Sequence, residues 1–113
     1  MYNLVFSNIF YADVSISHNY IKDKLEAPKA AEELKIEILE KIEYIKLNPL
    51  VRPLVQDKYL ASLGLRSIKV KKYLLFYLIR KDKEKEFIFI ARFMYSKRDW
   101  AAIILNESIN EIV

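Results

Sequence analysis

The stretch RSIKVKKYLLFYLIRKDKEKEFIFIARFMY, residues 66–95, decides the fold, because its apolar residues recur with a period of two. Ile68 and Val70 fall on one side of an extended chain. Lys69 and Lys71 fall on the other side. The segment YLLFYLI is apolar on both sides, as expected for a central strand, and FIFIARFMY follows the charged segment RKDKEKE, which we interpret as a hairpin turn. The stretch therefore predicts a three-stranded antiparallel meander.

The preceding half of the chain shows helical periodicity. YNLVF (residues 2–6) predicts a short strand, and the spacing of apolar residues after it predicts a first helix over about residues 8–25. A second helix is predicted to begin near Pro28 and to end at Asn48, before Pro49. Its apolar stripe consists of Leu34, Ile38, Ile42 and Ile45. Two helices with a short connection predict an antiparallel helical hairpin.

The segments that flank the meander complete the fold prediction. A loop with room for one helical turn leads to Gly64, where we expect a positive φ. After the last strand, Asp99 is interpreted as the N-cap of a short helix in which Trp100 packs back on the sheet. The order β-α-α-β-β-β-α predicts one α+β domain over residues 1–113, with helices on one face of the sheet. Whether residues 106–113 dock on the sheet or frame a groove stays open.

Composition and charge restrict the function classes. The chain has no cysteine, which excludes a disulfide framework and thiol catalysis and fits a cytoplasmic location. A single histidine and one glycine leave no metal-ligand set and no glycine-rich phosphate loop, so no metal or cofactor is expected. The lone His18 is interpreted as a surface or helix-packing residue. The N-terminus does not resemble a signal peptide, and the longest apolar run is too short to span a membrane.

Positive charge is concentrated in one part of the chain. Residues 64–100 contain 11 Lys and Arg against 4 Asp and Glu, whereas the whole chain carries a net charge of only +4. This excess favours an anionic partner such as nucleic acid, the ribosome or an acidic protein segment, although a solvated basic surface gives the same pattern. The cations that we expect to bind nucleic acid or a partner are Arg66, Lys69, Lys71, Arg92 and Arg98. The alternative is that Arg66, Arg92 and Asp99 pair with each other or with helix carboxylates.

The order of three segments resembles a known group of proteins. These are the helical hairpin ending in LNP, then GLRSIKVKKYLLFYLI, and then FIFIARFMYSKRDWAAIIL. Together they resemble the RelE/ParE superfamily of toxins from bacterial type II toxin–antitoxin modules. The residues that carry the resemblance are Tyr73, Phe76, Tyr77, Arg92, Tyr95, Arg98, Asp99 and Trp100. The resemblance implies a small protein that arrests growth and is neutralised by a cognate antitoxin, a segment of which folds onto it.

The superfamily contains two kinds of toxin, which imply different targets. RelE-like members cut mRNA on the ribosome and need a base, phosphate-binding cations and an acid, for which the candidates here are Lys69, Tyr95 and Arg98. At the position where RelE and the related YoeB toxins carry an Arg, this chain has Leu74. It has Ile104 where RelE has a Tyr, and the catalytic His of YoeB aligns near Met94. ParE-like members inhibit DNA gyrase instead.

The resemblance therefore favours a gyrase inhibitor, with a ribosome-dependent mRNA endonuclease as the alternative. Whether the protein is an enzyme stays open at this point. A third possibility is a non-toxic basic module, a decayed toxin, that binds RNA or an acidic peptide.

Overall fold

A computed structural model describes residues 2–113 and contains one sheet and five α-helices within them. The strands are β1 (Asn3–Phe6), β2 (Arg66–Val70), β3 (Tyr73–Asp82) and β4 (Lys85–Tyr95). The helices are α1 (Asn8–Asn19), α2 (Pro28–Leu47), α3 (Lys58–Ser62), α4 (Trp100–Glu107) and α5 (Ile109–Ile112). A π-helical turn, Tyr20–Lys24, extends α1, so the predicted first helix is two segments in sequence.

The four strands form a sheet in the order β1-β4-β3-β2. The meander of β2, β3 and β4 is antiparallel, as predicted, and β1 pairs in parallel with β4. The predicted hairpin turn RKDKEKE is mostly strand, since Lys81 lies opposite Glu86 and Asp82 opposite Lys85. Opposite charges at facing positions stabilise such pairs, so the strands extend almost to the tip of the hairpin.

The sheet is covered on both faces. On one face of the sheet, side chains at alternate positions of β3 and β4 pack against α1 and α2. The predicted apolar stripe of α2 takes part in this packing. The predicted placement of helices on one face of the sheet holds for the helical hairpin formed by α1 and α2. The opposite face of the same strands packs against α3, α4 and α5. Both layers form because β3 and β4 are apolar at successive positions and each face must be removed from water.

Local sequence signals set the ends of the elements. The Ser7 hydroxyl caps α1 by accepting a hydrogen bond from the amide of Phe10 at 3.0 Å. Gly64 has a φ of +91°, as expected from its place before β2. Asp99 caps α4 by accepting from the amide of Ala102 at 3.4 Å. The ring of Trp100 packs against Phe76 with 5.0 Å between ring centroids, which confirms that α4 returns to the sheet.

The C-terminal segment is helical and docks on the protein. Ile112 is 3% exposed and belongs to the cluster beneath α4. Arg80 of β3 donates hydrogen bonds to the carbonyl oxygens of Glu111 and Ile112 at 2.5 and 2.9 Å. The open question about residues 106–113 is thereby answered in favour of docking. None of the helices in residues 2–113 combines the length and the apolar character that crossing a membrane requires.

Candidate functional site

A cleft of about 630 Å³ opens where the end of α1 approaches the start of β3 and the end of β4. It lies on the face of the sheet that the helical hairpin covers, since Leu34 of α2 and Phe93 of β4 line it. Its volume is within the range of small-molecule sites. The side chains on which the following argument depends are Asp13, Tyr20, Lys71, Lys72, Tyr73, Tyr95 and Arg98.

Tyrosine rings form one part of the cleft. Tyr73 stacks on Phe93 with 5.0 Å between ring centroids and 10° between ring planes. Tyr95 meets Tyr73 edge to face, at 5.8 Å and 73°. Burial raises the pKa of the Tyr73 hydroxyl, a hydrogen bond with Ser17 lowers it in part, and the neighbouring Tyr20 and Tyr95 raise it further. The Tyr73 hydroxyl therefore stays protonated at neutral pH and can act as a hydrogen-bond donor.

Cations from two turns meet at the mouth of the cleft. Lys71 and Lys72 form the turn between β2 and β3, and Arg98 belongs to the turn after β4. The amide of Ser96 donates to the carbonyl oxygen of Lys72 at 2.9 Å and joins the two turns. Within residues 2–113 none of these three cations forms an ion pair. Their charges are therefore available to a ligand.

The backbone at Lys71 adds a second feature to this rim. Its φ is +54°, in the left-handed region that usually favours glycine. A lysine at such a position costs on the order of 1 kcal/mol relative to glycine. The backbone of this turn is therefore strained at a residue that carries a positive charge. Lys83, in the turn between β3 and β4, has a similar φ of +59° but lies outside this cleft.

Of the carboxylates in residues 2–113, only Asp13 lines the cleft, and its oxygens are already engaged. Arg92 donates from Nε to Oδ2 at 2.8 Å and from Nη2 to Oδ1 at 3.1 Å. The amide of Phe93 also donates to Oδ2, at 3.0 Å. Because β1 pairs with β4 only as far as Ile90, Asp13 takes the place of a neighbouring strand at that amide. The cleft thus has no free negative charge.

Arg92 connects the two helical layers. Beyond Asp13 of α1, its Nη1 atom donates to Glu107 at 3.2 Å and to Ser108 at 3.0 Å, at the end of α4. Burial alone would lower the pKa of Arg92, but the hydrogen bonds and charges of Asp13 and Glu107 raise it above its usual value. The side chain is 4% exposed. Arg92 therefore pairs with helix carboxylates, which was the alternative to binding a partner, and its charge is not accessible to a partner.

The remaining predicted residues lie in different places. Lys71, Tyr95 and Arg98 share the cleft. Lys69 is exposed and alternates with the buried Ile68 and Val70, so it points to the opposite face of the sheet.

Arg66 lies at the far end of β2 from the cleft. It donates from Nη1 to the carbonyl oxygen of Arg52 at 2.5 Å, in the loop after α2. The five cations predicted to bind a partner therefore do not form one surface.

Four of the seven cleft residues named above were not among the predicted site residues: Asp13, Lys72, Tyr73 and Tyr20. Lys72 directly follows Lys71, so the charge run was the signal that could have identified it. Tyr73 was part of the family resemblance without a site assignment. Tyr20 begins the π-helical turn that extends α1, and no local pattern connects it with residues more than fifty positions later. Only the packing of α1 against the sheet brings it there.

Comparisons with known proteins agree on one group. A family model described as the ParE toxin of the type II toxin–antitoxin system parDE matches residues 4–100. Among solved structures, the chromosomal ParDE TA system from P. aeruginosa superposes with a TM-score of 0.64 and 19% sequence identity. The superposition covers 86% of this chain and 98% of that one, and at this identity it shows the fold alone. The search of curated proteins gave no match.

Proposed function

Because the chain belongs to the ParE toxin family of type II toxin–antitoxin systems, we propose that it arrests bacterial growth by inhibiting DNA gyrase and is neutralised by a cognate antitoxin. The RelE/ParE alternatives considered from the sequence differ in target, and the family match favours the ParE side. A gyrase inhibitor acts by binding, so it requires no nucleolytic site of its own.

The placement of Lys69 carries the preference for gyrase over mRNA. Cleavage by 2′-hydroxyl attack needs a base, an acid and phosphate-binding cations around a single phosphate, each within hydrogen-bonding distance of its target. Tyr95 and Arg98 line the cleft, whereas Lys69 points away from it on the other face of the sheet. The three candidates for a nuclease site therefore do not surround one phosphate.

The outer surface of α2 supports a protein partner. Ile36, Leu39 and Leu47 of α2 are each more than half exposed, and Leu50 and Val51 in the following loop are equally uncovered. Positions 36, 39 and 47 return to one side of the helix, and exposed apolar side chains gathered on one helix face commonly mark a protein interface. We propose that the antitoxin or gyrase covers this surface.

A ribosome-dependent endonuclease remains the second candidate, and one observation favours it. Lys71, Tyr95 and Arg98 lie in one cleft, so a phosphate could meet a hydroxyl and two cations without Lys69. Tyr95 is 37% exposed and can reach a ligand. In this version of the mechanism Tyr95 serves as the acid or base and Lys71 replaces Lys69.

The deciding experiment tests gyrase and mRNA as targets with a protein whose expression has been shown to arrest bacterial growth. Purified protein is added to a gyrase supercoiling reaction, and in parallel to a reconstituted translation system in which mRNA 5′ ends are mapped. We expect supercoiling to be inhibited and the mRNA to remain intact. Addition of the cognate antitoxin should relieve the inhibition of gyrase. Lys83→Ala is the control for loss of a lysine outside the cleft.

New mRNA ends at ribosomal A-site codons would overturn the gyrase proposal. If Arg98→Ala then lowered cleavage by about 10²-fold or more while Lys83→Ala did not, the endonuclease would be established. A protein that is harmless on expression and leaves both gyrase and mRNA unaffected would instead be a decayed toxin.

A further inference from the structure

We propose that the cleft between the end of α1, the start of β3 and the end of β4 binds a nucleotide unit, with its phosphate on Lys71, Lys72 and Arg98 and its base against the tyrosine rings. This site does not depend on the proposed gyrase inhibition, although the endonuclease alternative would use the same cleft. Binding to it can be assayed without gyrase or the ribosome. The four observations that support it are the unpaired cations, the occupied carboxylate, the exposed rings and the volume.

The mouth of the cleft is built for an anion. Lys71, Lys72 and Arg98 are free of ion pairs within the described part of the chain, and the hydrogen bond between Ser96 and Lys72 holds their two turns together. An arginine can donate two parallel hydrogen bonds to a phosphate, and the lysines add point charges. Because Asp13 is neutralised by Arg92, nothing in the lining repels the anion.

The rings beyond the mouth provide surfaces for an aromatic group. Tyr73 is held against Phe93 by stacking and so forms a fixed wall. Tyr20 and Tyr95 are 51% and 37% exposed and leave ring surface that a ligand can contact. Stacking on such rings tolerates any base, because every base has a π face. The cleft therefore predicts recognition of base and phosphate with little sequence preference.

The same lining fits an acidic peptide less well. A carboxylate would meet the cations, but the ring faces of Tyr20 and Tyr95 would then contact flexible chain instead of a flat group. A phosphate also offers more acceptor oxygens than a carboxylate to the clustered donors. At about 630 Å³ the cleft has room for one nucleotide rather than a long segment of chain.

The test measures binding by fluorescence anisotropy with two probes. One is ATP that carries an N-methylanthraniloyl label, and the other is a labelled oligothymidylate with a 5′-phosphate. We expect saturable binding that weakens with increasing salt, because phosphate contacts release counterions.

Lys71→Ala, Arg98→Ala and Tyr95→Leu should each weaken binding by about tenfold. Binding of both probes points to a single nucleotide, and binding of the oligonucleotide alone points to the end of a strand; both outcomes support the site.

Two lysines outside the cleft serve as matched controls. Lys83 lies in a hairpin turn with nearly the same positive φ as Lys71, so Lys83→Ala removes the same charge from the same backbone conformation. Lys69→Ala removes a charge from the opposite face of the sheet. Both variants should keep the wild-type affinity within about twofold, as expected for exposed charges without a ligand contact. Circular dichroism confirms that each variant is folded.

Three results would overturn the proposal. The first is the absence of binding for both probes. The second is an equal loss of affinity in Lys83→Ala and Lys71→Ala, which indicates only attraction to the net charge of the protein. The third is a Glu- and Phe-containing peptide that binds more tightly than either probe, displaces both and loses affinity in Lys71→Ala and Tyr95→Leu, which would make the cleft a peptide-docking site.

Discussion

Tyr77 shows how one polar atom is accommodated in the centre of the sheet. Its ring is fully buried among the apolar side chains beneath the helical hairpin. The hydroxyl donates a hydrogen bond of 2.8 Å to the carbonyl oxygen of Pro49, in the loop after α2. Burial raises the pKa of Tyr77 to about 12, although the charges of Arg66 and Arg52 act to lower it.

This burial predicts a loss of stability at alkaline pH. The Tyr77 hydroxyl ionises near pH 10 in the unfolded chain but only near pH 12 in the folded chain. Its contribution is complete below pH 10 and is lost as pH rises through 12, because the unfolded state releases the proton first. The free energy of unfolding should fall by roughly 2–3 kcal/mol over this range on account of Tyr77, as measured by urea titration.

Comparison of two phenylalanine variants isolates the Tyr77 contribution. Tyr77→Phe should lose about 1 kcal/mol at pH 8 with the hydrogen bond to Pro49, and should then show a flatter dependence on pH. Tyr59→Phe, at a tyrosine that is half exposed, should keep the wild-type profile. An equally steep profile in Tyr77→Phe would show that other groups cause the alkaline loss.

At the scale of elements, α5 is the shortest helix and depends on its contacts. Four residues cannot form a stable helix by themselves. The buried Ile112 side chain and the hydrogen bonds from Arg80 to the carbonyl oxygens at its end attach α5 to the sheet. Its stability is therefore tertiary in origin.

Truncation of Ile112 tests this attachment. Ile112→Ala should lower the stability of the docked segment by about 2 kcal/mol or more, because a buried branched side chain is removed from a packed cluster. Faster amide hydrogen exchange in residues 109–112 is the direct measurement. Val113→Ala, at an exposed neighbour, should change exchange little. Similar exchange in the two variants would mean that Ile112 does not anchor the segment.

At the scale of the whole molecule, Arg92 links both layers through the sheet. It follows a β-bulge, where the register between β3 and β4 shifts, and its guanidinium reaches Asp13 on one side and Glu107 on the other. A buried charge without its partner is costly, whereas an ion pair with an exposed member contributes little. The two partners of Arg92 should therefore differ in importance.

Substitutions in this network test that difference. Arg92→Met should destabilise the protein by about 3–5 kcal/mol, because Asp13 remains buried without its counter-charge. Glu107→Gln should cost less than about 1 kcal/mol, since the Glu107 side chain is 53% exposed. Chemical denaturation of both variants measures the values. An equal or larger loss in Glu107→Gln would contradict the assignment of Asp13 as the main partner.

Much of the fold could be predicted, whereas less of the site could. The alternation in β2, the doubly apolar β3, the stripe of α2 and the Asp99 cap are patterns between near neighbours, and all are present in the structure. The sequence likewise indicated Lys71, Tyr95 and Arg98, which do meet in the cleft. Of the other predicted site residues, Arg66 and Lys69 lie elsewhere and Arg92 is buried.

The sequence by itself therefore determined the four strands, the two long helices, their order and the α+β class, because periodicity and capping depend on residues within a few positions of one another. Only the tertiary structure decided which charges are free and which are paired. Asp13 and Arg92 are 79 positions apart, and Tyr20 lies far along the chain from the other cleft residues. Such contacts depend on how α1 packs against β4, and no local pattern encodes that approach.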